Sequence, residues 1–269
     1  MQKILWPALA GLFLSVSVVF AATDPDFSKF SHDDALEYSQ DAIGRTVDGI
    51  ELTRSDGTVV SLSDYRGKPL VISMIFTSCH HICPATTAHL NEVVDKARDA
   101  LDEDSFQVVT VGFDTRNDSP QRMAQFRRSN DVTDERWDFL SGDEANMAKL
   151  VHQLGFIYTP AARGFDHLIQ SSVIDANGVI YRQVYGISFP TPHLIEPLKE
   201  LVFGEPETHS SLDYLGGRIR LFCTVYDPAT DSYYIDYSVF IGTFVGLVVS
   251  ILFGRVLFKE WRRSIKAGR

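Results

Sequence analysis

Residues 69–101 read PLVISMIF TSCHHICP ATTAHLNEVVDKARDAL, and this stretch decides the fold. Its first part, Pro69–Phe76, is a continuous apolar run of strand length, as expected of a strand buried on both faces. Its last part sets Leu90, Val93, Val94, Ala97 and Leu101 at helical spacing. Pro84 is tolerated in the first turn of a helix. Between strand and helix lie Cys79, His80, His81 and Cys83. Such a junction offers unpaired backbone N–H groups and the positive end of a helix dipole, which favour thiolate over thiol.

The same grammar runs through the flanking sequence. Upstream, ELTRSDGTVVSLSDYRGKP predicts a hairpin turning at Asp56-Gly57. Downstream, FQVVTVGFD (106–114) predicts a second buried strand, and SPQRMAQFRRSN (119–130) a helix opened by Ser119-Pro120. WDFLSG (137–142) reads as a short strand, and DEANMAKLVHQLG (143–155) as a helix ending on Gly155. LIQSSVIDANGVIYRQVYG (168–186) predicts a late hairpin around Asn177-Gly178. PTPHLIEPLKELVF (190–203) closes the series as a helix, with Pro197 against its continuity. Alternating strands and helices imply an α/β domain with a parallel-containing sheet, to which the late hairpin adds antiparallel strands.

Both ends differ from this core. An apolar run from Ile4 to Phe20 follows Lys3 and precedes Ala21 and Ala22, the layout of a secretory signal cleaved after Ala21. Near the other end no charged residue occurs from Val239 to Gly254, a length that can cross ~30 Å of hydrocarbon. Arg255 falls late in this run, and the tail carries Lys259, Arg262, Arg263, Lys266 and Arg269 against Glu260. Basic flanks stay cytoplasmic, and Tyr233, Tyr234 and Tyr237 suit the opposite interface. The expected organisation is a signal at 1–21, a lead-in at 22–44 and a globular domain at 45–203. A linker or small lobe at 204–236, a transmembrane helix at 237–258 and a basic cytoplasmic tail at 259–269 complete it. This places the domain in the bacterial periplasm, anchored by a single pass in the inner membrane.

Charge excludes one class of partner. The chain carries a formal net charge of −10, and residues 22–238 hold 18 Lys and Arg against 34 Asp and Glu. Nucleic acid needs clustered basic residues and is not expected. The compartment is oxidising, so paired thiols there need a metal or a reductant to stay unbridged.

The cysteines leave several chemistries open. A local zinc site would crowd His80 and His81 between the thiols, and no second Cys pair exists. A structural disulfide is the plainest alternative, and thiol–disulfide exchange is another, though its usual motif spaces the cysteines by two residues rather than three. Two thiolates with one imidazole suit Cu(I). Among the histidines, His167 stands apart in GFDHLIQSSVID, at the start of the late hairpin. In a thioredoxin-like arrangement that position faces the N-terminus of the cysteine-bearing helix, and Asp166 is a candidate to orient the ring.

Taken together, the motifs resemble the Sco/SenC family of copper-handling proteins over about residues 45–203. Cys79-x-x-x-Cys83-Pro84 follows the first buried strand, and Asp166-His167 opens the late hairpin. FDTRNDSP (113–120) is similar to the family's Asp-x-x-x-Asp-x-Pro turn, and LSDYRGKP (62–69) to its lead into the first strand. The resemblance implies a thioredoxin-like fold with an N-terminal hairpin extension, here followed by a C-terminal transmembrane helix. It implies copper as Cu(I), with Cu(II) as a second state, held by Cys79, Cys83 and His167. It further implies delivery to the copper A centre of cytochrome c oxidase, or reduction of that centre's cysteines. The expected partners are therefore the copper-receiving oxidase subunit and other copper carriers or thiol reductants. Asp114 would shape a loop beside the site. The alternative is a periplasmic thiol–disulfide oxidoreductase in which Cys79 and Cys83 are catalytic. His80-His81 replaces the family's common Pro-Asp, and Cys223 has no assigned role.

Overall fold

The computed structural model of the protein describes residues 31–162, 164–204 and 224–267. The expected signal and Cys223 lie outside these residues.

β1 (Glu51–Arg54) and β2 (Val59–Ser61) form the leading hairpin. β3 (Leu70–Ile75), β4 (Gln107–Gly112) and β5 (Trp137–Ser141) are the parallel strands. β8 (Gln170–Ile174) and β9 (Ile180–Tyr185) form the late hairpin, and β8 lies antiparallel to β3. One sheet in the order β2-β1-β5-β4-β3-β8-β9 results. The leading hairpin thus extends this sheet, with β1 antiparallel to β5. The arrangement is thioredoxin-like.

All six residues of β3 are buried, which is why its sequence shows no alternation. Helix α2 (Ile82–Leu101) covers β3 through Leu90, Val93, Val94 and Ala97, each fully buried, and packs beside α5 (Pro192–Gly204). α5 runs through Pro197. α3 (Pro120–Ser129) starts on the Ser119 cap and packs on β5, and α4 (Glu144–Leu154) starts on the Asp143 cap and ends on left-handed Gly155. Gly155 also permits close packing, since a Cβ there would lie 2.7 Å from the Tyr38 carbonyl oxygen.

The short helix expected near Asp33–Gln40 is present, and two hairpins were not read from the sequence. α1 (His32–Gln40), within the lead-in, docks on the domain through Ala35 and through hydrogen bonds of Ser39 and Gln40 to the Tyr185 hydroxyl, 2.9 and 2.6 Å. β6 (Tyr158–Ala161) and β7 (Gly164–His167) form a separate short hairpin. β10 (Thr224–Asp227) and β11 (Ser232–Ile235) form another within the expected linker. This last hairpin is tied to α2 by Lys96–Asp231 at 2.6 Å and to α5 by the Tyr233 hydroxyl on Glu196 at 2.8 Å.

α6 (Ser238–Ala267) follows. Its segment Phe240–Lys259 is long and apolar enough to cross a membrane, and none of that window is buried in the protein. The helix continues past 258 into what the sequence suggested as a separate tail.

Candidate metal centre

The site begins where β3 ends. Cys79 lies in the loop after Phe76, with its N–H on the Phe76 carbonyl at 3.1 Å. α2 begins at Ile82, which puts Pro84 in its first turn as expected, so Cys83 is in that turn too and Cys79 just outside it. His81 occupies the N-cap position without making a side-chain cap. The orphan helix N–H groups turn to sulfur instead, and Cys83 N–H donates to Cys79 Sγ at 3.3 Å. Cys79 thus serves as the acceptor at the positive end of a helix.

The two thiols differ in character. Both are free, Cys79 half-buried and Cys83 buried. Burial raises the Cys79 pKa, but hydrogen bonds from Cys83, His81 and Ile82 outweigh it and bring the thiol below its ordinary value. For Cys83 burial wins and pushes the thiol far up, against a hydrogen bond from the Phe76 backbone. Cys79 is the more acidic of the two thiols, and burial favours the protonated form of Cys83.

His167 ends β7. Its ring sits among Phe76, Phe113 and Phe156, at centroid distances of 6.0, 5.3 and 5.5 Å. Burial lowers its pKa, against the Leu168 carbonyl and the Asp166 charge, and favours neutral imidazole. Nδ1 is 2.9 Å from the Leu168 carbonyl oxygen, which can only accept, so Nδ1 carries the proton and Nε2 has the free lone pair. Asp166 is therefore not the orienting partner. It is exposed, because neighbouring strand residues point to opposite faces.

Phe76 links the two halves. Its backbone holds Cys79, and its ring meets Phe165 edge-on at 5.3 Å and faces His167. Gly164 makes this approach possible, since a Cβ there would sit 2.7 Å from the Phe76 ring. The hairpin and the thiol loop therefore share one aromatic floor. Among the described residues, however, no three His, Cys, Asp or Glu side chains are grouped closely enough to hold a metal ion. The thiols are paired, and His167 stands across that floor from them.

The family model described as SCO1/SenC matches residues 40–202, more than half of the chain. The chain belongs to the SCO1/SenC family. The SCO1 protein homolog of Bacillus subtilis (strain 168) is 28% identical over 103 residues, which is 38% of this chain. That match spans about half the length of the curated relative, 52%. A crystal structure of a protein assigned to electron transfer from Aquifex aeolicus VF5 aligns with TM-score 0.56 and 26% identity. It covers 63% of this chain and 99% of that one. The copper-bound ScoI of Arabidopsis thaliana aligns with TM-score 0.50 and 18% identity, over 57% of this chain and 99% of that one, a likeness of fold alone.

In this SCO1/SenC domain the carboxylate that touches the thiol loop is Asp118, not Asp114. Asp118 Oδ1 accepts from the Thr77 N–H at 2.8 Å and the Thr77 hydroxyl at 2.7 Å, and Oδ2 accepts from the Asp114 N–H at 2.9 Å. It buttons the β3–α2 loop to the β4–α3 loop. Asp114 is buried and accepts from the Asn117 amide at 2.7 Å. Asp118 is the second acid of the Asp-x-x-x-Asp-x-Pro motif, so the signal was in the sequence, but the partner 41 residues away was not. His80 and His81 are exposed. His89 is a packing residue, with Nε2 2.8 Å from the Phe189 carbonyl.

Proposed function

We propose that this chain is a membrane-tethered copper chaperone that carries Cu(I) on Cys79, Cys83 and His167 and delivers it to the copper A centre of a respiratory oxidase. One observation carries the reading. A thiol below its ordinary pKa, a second thiol four residues on and a neutral imidazole with a free Nε2 share the Phe76 floor. Soft thiolates with imidazole suit Cu(I), and the copper-bound Sco relative supports the choice of metal. Copper closes the set in this reading. The Cys83 proton leaves on binding, as coupling of metal binding to deprotonation requires. The apolar stretch of α6 tethers the domain, which faces the periplasm with the basic tail in the cytoplasm.

The asymmetry of the thiols favours a second reading. Cys79, accessible and low in pKa, is suited to attack a disulfide, and buried Cys83 to resolve the mixed disulfide. Transfer separates the two. The Cu(I)-loaded full chain is mixed anaerobically with the reduced copper A domain of an oxidase subunit. Copper appears on the acceptor if the chain is a chaperone. Copper retained on the chain, while the copper-free reduced chain reduces a disulfide-bonded acceptor and is itself oxidised to the Cys79–Cys83 disulfide, would leave the oxidoreductase.

A further inference from the structure

A cleft of ≈ 410 Å³ opens beside Cys79. Thr77, Cys79 and His80 line one wall, and Arg122, Gln125 and Ser129 of α3 line the other. The α3 residues recur at i, i+3 and i+7, so they form a row along one helix face about 10 Å long. Three residues of extended chain span the same length.

The charge of this wall opposes that of the rest of the domain. Residues 22–238 are net negative by 16, but between Asp114 and Asn130 every exposed ionisable side chain is an arginine: Arg116, Arg122 and Arg128, of which Arg122 lines the cleft. The two acids of the segment, Asp114 and Asp118, are buried and hydrogen-bonded inward. Arg127 is occupied by the carbonyls of Val132 and Asp134, at 3.1 and 2.8 Å. Arg122 makes no ion pair among the described residues. An unpaired guanidinium at one side of a cleft and a free, half-buried cysteine sulfur at the other define a ligand with carboxylates next to a sulfur donor.

We propose that this cleft docks an extended acidic segment of a partner polypeptide, seats its cysteine against Cys79, and reads its charge through Arg122. The proposal names the partner's chemistry at the transfer site and rests on the copper-transfer reading only for what is passed across.

Thiol exchange with defined peptides tests it without copper. The full chain carrying Cys83→Ser and Cys223→Ser, in detergent, leaves Cys79 as the only thiol. The probes are short peptides whose single cysteine is a mixed disulfide with thionitrobenzoate, flanked by Asp and Glu, by Gln, or by Lys. The Cys79 thiolate attacks the peptide sulfur, the probe's S–S bond breaks, and coloured thionitrobenzoate leaves with the electron pair. At an ionic strength of about 0.1 M, distant charges are screened and the acidic probe should react about tenfold faster than the Gln probe. Arg122→Glu should abolish that ratio, with each variant's acidic-probe rate read against its own Gln-probe rate so that a change in Cys79 reactivity cancels. Arg182→Glu on β9, the same change of net charge elsewhere, should leave the ratio intact. Equal rates for acidic and Gln probes, or an equal loss in Arg182→Glu, would overturn the proposal. Failure of the wild type to bind Cu(I), measured apart, would remove the transfer reading while the charge preference stood.

Discussion

Phe113→Ala is expected to cost about 3–5 kcal/mol of folding stability and, with both thiols intact, to weaken Cu(I) binding. Phe113 is 1% exposed and closes β4 into the site loop. Its ring meets Phe76 at 5.5 Å, Phe156 at 5.2 Å, Tyr158 at 4.8 Å, Phe165 at 5.4 Å and His167 at 5.3 Å. Together with Phe76, it joins the thiol loop, the β6–β7 hairpin and the imidazole. Truncation leaves a cavity under all three, and His167 loses the platform that fixes its ring. Urea unfolding followed by circular dichroism reads the first effect and anaerobic competition with a Cu(I) chelator the second, expected at about tenfold or more. Trp137→Ala is the matched control. Trp137 is fully buried on β5, with its indole N–H on the Thr110 hydroxyl at 2.8 Å, so its loss is similarly costly but remote from the aromatic floor. Equal weakening of Cu(I) by both variants would deny the floor any specific role.

Asp118→Ala is the second large effect, expected to cost about 2–4 kcal/mol because three donors lose their acceptor at a mostly buried site. The loop bearing Thr77 would also come away from the β4–α3 loop, so Cys79 alkylation should change in rate although Asp118 touches neither sulfur. Acidity gives a separate test. Burial raises the Asp118 pKa, against hydrogen bonds from Thr77 and Asp114 that lower it. A carboxyl raised in the folded state binds its proton more tightly there than in the unfolded chain. Its contribution is therefore full below the unfolded value of about 3.9 and is lost as pH rises through the raised folded value. Asp118→Asn cannot titrate. The stability of wild type relative to Asp118→Asn should accordingly fall as pH rises across that window, and a flat difference would contradict the assignment.

What the sequence revealed and what it hid follow from how each element is stabilised. β3 and β4 were legible because parallel strands covered on both faces are continuously apolar. The two thiols were legible as a site because a strand ending where a helix starts is a recognisable junction. β6–β7 was not. Its strands are short and half-exposed, Pro160 interrupts the pattern, and what holds the hairpin is Phe76, some 80 residues earlier. The β10–β11 hairpin was hidden for the same reason, since its anchors on Lys96 and Glu196 are distant in sequence. The acidic motif after β4 drew attention to Asp114, but only three-dimensional structure shows that Asp118 reaches Thr77. Likewise the leading hairpin read as an extension, and its pairing with β5 is a tertiary fact.

The measurement closest to the central claim is an anaerobic Cu(I) competition titration of the reduced full chain beside Cys79→Ser, Cys83→Ser and His167→Ala. The expected result is one tightly held Cu(I) in the wild type, a loss of about a thousandfold in affinity in either serine variant and about a hundredfold in His167→Ala. A reduced wild type that cannot compete for Cu(I), while its Cys79–Cys83 disulfide cycles readily, would contradict the copper-carrying role. Affinity unchanged in His167→Ala would keep the two thiols and remove His167 as the third ligand.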